Sequence, residues 1–177
     1  DIRPFYDVVN VHKELMGCGT MCGMKLWMAP YIGNELISLD IKTGKKERIK
    51  CLYELGYYFG MCSFANKLWF STQHENMIIV YDTIKGIFET INIENNRNKS
   101  QQDRYMYRDA FFCNGKIWLL PGNAENIVCI DPKNEYSSNI YYSIEHNGIL
   151  LGMEKQGEQL FFFSYGYVMS LNEDGKK

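Results

Sequence analysis

Short apolar runs alternate with short polar gaps along this chain, and no stretch settles into the roughly 3.6-residue period of an amphipathic helix. Residues 57–93 show the grammar. Tyr58, Phe59, Met61, Cys62 and Phe64 make a short apolar run that closes on Ala65-Asn66-Lys67. Leu68-Trp69-Phe70-Ser71 follows, then the polar loop Thr72-Gln73-His74-Glu75-Asn76 and the near-continuous apolar run Met77-Ile78-Ile79-Val80-Tyr81. Asp82-Thr83-Ile84-Lys85-Gly86 reads as a hairpin turn, and residues 87–93 alternate as a half-exposed strand. The pattern predicts four antiparallel strands joined by hairpins, the third covered on both faces. Little helix is expected.

The same phrase returns four times: Lys25-Leu26-Trp27 to Asp40, Lys67-Leu68-Trp69 to Asp82, Lys116-Ile117-Trp118 to Asp131, and Gln159-Leu160-Phe161 to Asn172. The copies start 42, 49 and 43 residues apart, and the aromatic-to-acid gap is 13 residues three times and 11 in the last. A period of this size built from short strands predicts an all-β fold, a β-propeller of four-stranded antiparallel blades with four repeats. The blades fall at about 14–52, 53–93, 105–144 and 149–177 of a single domain. The fourth copy runs out after its third strand, and residues 5–11 alternate like an outer strand, so that segment is expected to complete the last blade and cover its edge. A closed four-blade ring is the first expectation. Two chains sharing a larger ring, or one part of a larger propeller, are the alternatives.

Composition narrows the function classes. A net charge of −2 gives no basic field, which argues against nucleic acid or an anionic membrane as partner. No apolar run approaches the roughly 18 residues of a membrane span. The six cysteines include no Cys-x-x-Cys pair, and most lie among apolar neighbours, as Cys129 does. They read as buried free thiols and lean towards a reducing, cytoplasmic compartment, with secreted and periplasmic locations still open.

Leu26-Trp27 through Asp40-Ile41-Lys42-Thr43-Gly44 resembles a kelch repeat, as does Met77-Ile78-Ile79-Val80-Tyr81-Asp82-Thr83. Where kelch repeats carry a Gly-Gly pair, this chain has Pro30-Tyr31, Thr72-Gln73 and Pro121-Gly122. Ile37-Ser38-Leu39-Asp40 with Thr43-Gly44-Lys45 is also similar to repeats of quinone-dependent dehydrogenases. Kelch-like propellers include partner-binding scaffolds, oxidases and sugar-modifying enzymes, so the resemblance implies an architecture and leaves the activity open.

Repetition itself removes several candidates. Asp40, Asp82 and Asp131 occupy one place at a strand end, where an Asp fixes a turn by accepting backbone hydrogen bonds. Trp27, Trp69 and Trp118 read as blade-core residues. The histidines, His12, His74 and His146, have no partner at metal-ligand spacing, and no nucleotide, phosphate or zinc motif occurs, so no metal or cofactor is expected. Function is expected where the copies differ. In a propeller the loops between second and third strands share a face with the blade crossovers. That face carries Tyr31, Asn34, His74, Asn76, Asn123, Glu125 and Tyr165, polar and aromatic groups suited to a protein, peptide or glycan ligand. The long polar crossover before the third copy leads to Arg108-Asp109 in an inner strand; the places equivalent to Asp109 hold Cys18, Gly60 and Gly152. Arg108 and Asp109 are expected to form a salt-bridged structural pair or to open a polar notch near the channel mouth. The expected function is a non-catalytic binding module, a monomer or a self-associating dimer. The alternative is a carbohydrate-active enzyme using Asp109 with Glu75 or Glu125 and Arg108, which needs two carboxyls about 5 to 9.5 Å apart.

Overall fold

The computed structural model describes residues 16–30, 33–51, 60–71, 77–93, 107–122, 124, 126–134, 140–143 and 150–172. Their elements are fifteen β-strands. The first sheet holds β1 (Met16–Cys22), β2 (Lys25–Pro30), β3 (Glu35–Asp40) and β4 (Lys46–Lys50) in chain order. The second holds β5 (Met61–Phe64), β6 (Lys67–Phe70), β7 (Met77–Asp82) and β8 (Ile87–Asn92). The third is β9 (Tyr107–Cys113), β10 (Lys116–Pro121), β11 (Asn126–Ile130) and β12 (Ile140–Ser143). The fourth has three described strands, β13 (Leu150–Gln156), β14 (Gln159–Ser164) and β15 (Val168–Asn172). Every pairing is antiparallel between chain neighbours, so each sheet is a meander. Along the inside β1 packs beside β5, β5 beside β9, and β9 beside β13. This is the blade arrangement of a propeller. Residues 5–11, expected to complete the fourth blade, lie outside the described residues.

The strand register explains the repeated phrase. Lys25 lies opposite Asp40, Lys67 opposite Asp82, and Gln159 opposite Asn172, so the phrase spans one strand, one loop and the returning strand. The shorter gap in the fourth copy is a loop shortened to residues 165–167 between β14 and β15. Each aspartate fixes the turn that follows it. Asp40 Oδ1 accepts the N–H groups of Lys42 and Thr43 at 3.0 and 2.8 Å. Asp82 Oδ1 takes those of Ile84 and Lys85 at 3.0 and 2.9 Å, and Asp131 that of Lys133 at 2.9 Å. These donors hold the carboxyls of Asp40 and Asp82 below the usual carboxylate range.

The aromatic of the phrase is a wedge between blades. Trp27 packs with Phe70, Ile79 and Tyr81 of the second blade, its ring 5.6 Å from that of Tyr81. Trp69 joins Tyr107, Ile117 and Val128 of the third blade, and Trp118 joins Leu160 and Phe162 of the fourth. All three indoles are buried. Phe161, the fourth copy's aromatic, is only half-buried. A further apolar cluster, Met28, Ile37 and Leu39, covers the first blade's other face and contains no described residue of the fourth blade.

Candidate functional site

The inner strands β1, β5, β9 and β13 are each paired on one side only, which leaves the other backbone edge towards the channel. A cavity of about 570 Å³ is bounded by three of them: Gly17 to Thr20 of β1, Met61 to Ser63 of β5, and Asp109 to Phe112 of β9. Asp109 is its only described carboxylate and stands near the end of β9 that receives the blade crossover, the end shared with the β2–β3 and β10–β11 loops.

Register makes the four inner-strand places equivalent. Cys18 faces Ala29, Asp109 faces Leu120 and Gly152 faces Phe163, while the Gly60 carbonyl accepts the Ser71 N–H at 3.0 Å. In β1, β9 and β13 the pairing slips just before this place, so Gly17, Arg108 and Leu151 are extra residues on the bulged strand. Such a bulge re-aims the side chains around it. Arg108 and Asp109 at this bulge are both half-buried, and of the two Asp109 lines the cavity.

Gly60 fixes how Asp109 is held. A Cβ added at Gly60 would overlap the Cα and Oδ1 of Asp109 and the backbone nitrogen of Ala110. Only a glycine lets the second blade approach the third this closely. Ser71, buried, clamps Gly60 from behind: its Oγ accepts the Gly60 N–H at 2.9 Å and donates to the Gly60 carbonyl at 3.1 Å.

Burial pushes the Asp109 carboxyl up to about 6, against the lowering pull of the Ala110 N–H, which Oδ1 accepts at 2.8 Å, and of the Arg108 guanidinium. Around it stand thiols. Burial, reinforced by the Asp109 charge, pushes Cys18 up to about 12 and moves Cys62 upward as well, so both are neutral at physiological pH. All six cysteines are free thiols; Cys51, Cys62 and Cys129 are buried and the others half-buried.

The other expected site residues fall apart. Asn34 is half-buried in the β2–β3 loop, its carbonyl accepting the Cys51 N–H at 2.6 Å. Tyr165, 82% exposed, stands in the β14–β15 loop. Neither lines the cavity. Tyr31, His74, Asn76, Asn123 and Glu125, together with Glu75, lie outside the described residues. Cys62, Thr20 and the glycines Gly17 and Gly19 also line the cavity, yet nothing in the sequence reading marked them. For Gly17, Gly19 and Thr20 the signal was the bulge of β1, which a period-two pattern does not carry.

No protein-family model matches the sequence, and no curated protein matches it significantly. Solved structures share the fold. The computationally designed Ika4 protein superposes with a TM-score of 0.67 at 9% identity, covering 91% of this chain and 92% of that one. The virginiamycin B lyase of Staphylococcus aureus, crystallised with quinupristin, gives 0.65 at 16% identity, and the Pan2 WD40 domain of Neurospora crassa 0.66 at 9%. The chain covers 92% of Ika4, but only 57% of that lyase and 50% of that WD40 domain. At these identities the likeness fixes a β-propeller and nothing finer.

Proposed function

We propose that this chain is a propeller-type binding module that takes a protein, peptide or glycan ligand at the channel end where the crossovers and the loops between second and third strands meet. The observation that carries this reading is the cavity of about 570 Å³ between three inner strands, holding Asp109 where the other copies have Cys18, Gly60 and Gly152. A concave site with a few polar groups on a rigid frame is what ligand binding asks of a fold. The carbohydrate-active alternative pairs Asp109 with Glu75 or Glu125, both outside the described residues. Within the propellers, the Tyr81-Asp82-Thr83 and Asp40 to Gly44 stretches support kelch-like repeats. Six free thiols support a cytoplasmic setting.

We also propose that the chain forms one four-blade ring, with residues 5–11 adding the outer strand beside β15. The test of the binding reading is a screen on glycan and peptide arrays, with wild type beside a variant carrying Asn34→Ala, Arg108→Ala and Tyr165→Ala. A ligand retained by wild type and lost from the variant is the expected result; equal retention by both, or no ligand on either array, sinks the reading.

A further inference from the structure

We propose that the channel cavity is a receptor for an alkylammonium group, with Asp109 as the counter-ion. The inference deepens the binding reading above and rests on it, since it names the chemistry of what enters the same channel end.

Among the described residues Asp109 is the single carboxylate lining the cavity. Asp109 makes no ion pair with any described residue. Arg108 is its neighbour in the chain and acts on it only through space. The groups facing it across the cavity are Cys18 on β1 and Cys62 on β5, both neutral thiols, with Met61 and Ala110 adding apolar wall. Burial of this carboxylate outweighs the pull of Arg108 and leaves it costly, and a cation brought in by a ligand removes that cost. The ligand therefore carries positive charge.

Three features select the kind of cation. A divalent metal needs several ligands, and no group of three His, Cys, Asp or Glu residues is poised to hold one among the described residues. A guanidinium binds best as a fork on both carboxylate oxygens, and the Ala110 N–H already takes one of the two acceptor sites of Oδ1, which weakens that fork. Oδ2 is left as the better acceptor, which suits a point charge. An ammonium then has hydrogens to spare, and the channel offers acceptors for them. β1 and β5 are edge strands whose channel-side backbone is unpaired by any strand, and Gly17 and Gly19 leave that backbone uncovered. The volume of about 570 Å³ admits an alkyl chain behind the charged head, whether of a free amine or of a lysyl side chain.

Occupancy follows the charge state of Asp109. Among the described residues the titratable and charged groups near it are Cys18, Cys62 and Arg108, and the thiols stay neutral through the range in question. Binding is present above about pH 6 and lost as the carboxyl protonates.

The test is an NMR titration read at the Ala110 amide. The probes are n-butylammonium and phenethylammonium chlorides, and a lysine-containing tripeptide blocked at both ends. Its norleucine counterpart and sodium butyrate are controls. Saturable shifts with the ammonium probes at neutral pH, at least about tenfold weaker near pH 4.5, are expected, with no response to the controls. Response to the free amines alone assigns a small-molecule ligand; response to the lysyl peptide assigns a protein partner. Asp109→Asn, nearly isosteric and still able to accept the Ala110 N–H, should lose at least about tenfold in affinity. The inference is overturned by a norleucine or butyrate response equal to that of the amines, by no saturable response to any ammonium probe at millimolar concentration, or by unchanged affinity in Asp109→Asn. Should that variant not fold, wild-type affinity unchanged between neutral pH and pH 4.5 overturns it alone. An array ligand that Asp109→Asn still binds fully, while the Asn34, Arg108 and Tyr165 variant loses it, fails this inference and spares the broader reading.

Discussion

A carboxyl raised by burial and carboxyls lowered by turn donors pull the pH dependence of the fold in opposite directions. Asp40 and Asp82 are held below their ordinary range, so their contribution is present above about pH 4 and disappears as pH falls through the lowered values. Asp109 is raised to about 6, so its contribution is full below about pH 4 and is lost as pH climbs through 6. Melting temperature should therefore rise out of the acid range and then decline towards neutrality. Asp109→Asn should abolish the decline and stabilise the neutral protein by on the order of 2 kcal/mol, measured as melting temperature against pH for both proteins. An unchanged neutral limb would contradict the burial of that charge. Gly60→Ala should do the reverse. Its methyl meets the backbone of the neighbouring blade, which has no rotamer to give, and a loss of about 1 to 3 kcal/mol is expected in urea denaturation.

Each hairpin between first and second strands solves the same turn with different residues. Gly23 and Gly157 occupy positive φ (61° and 62°), and Asn114 with Gly115 gives 54° and 73°. The second blade puts Ala65 there, at φ 52°, where a Cβ is strained. The turn is nonetheless held: Thr83 donates its N–H and its hydroxyl to the Asn66 carbonyl, both at 2.8 Å. Ala65→Gly should raise stability by about 0.5 to 1 kcal/mol, read from the denaturation midpoint at constant slope. The same level shows how far the sequence could be read. Strand order, the third-strand apolar runs and the turn role of the aspartates were legible because each is local, the first recurring in every copy and the other two in the first three. The half-buried Phe161 was not, since its phrase matches the others and only its neighbours across the blade differ. The cavity was half legible. The Arg108-Asp109 departure could be counted off the anchor residue, but the close approach of Gly60 joins two blades and leaves no trace in a single repeat.

Three apolar interfaces run from blade to blade through Trp27, Trp69 and Trp118, and the chain matches the designed Ika4 protein over 92% of its length. A solution mass near the chain's 20.7 kDa by light scattering is expected for the proposed single ring. Twice that mass would mean a ring shared between two chains. The inner-strand place shared by Cys18, Gly60, Asp109 and Gly152 has a consequence for design. One slot, copied four times around a common axis, works as a four-letter address whose letters are set separately from the blades behind them. Gly60 is the locked letter. Gly152 is blank, since a side chain added there would meet open space. Writing a second carboxylate or a cation at 152 offers a way to recode what the channel accepts while every Trp wedge stays where it is.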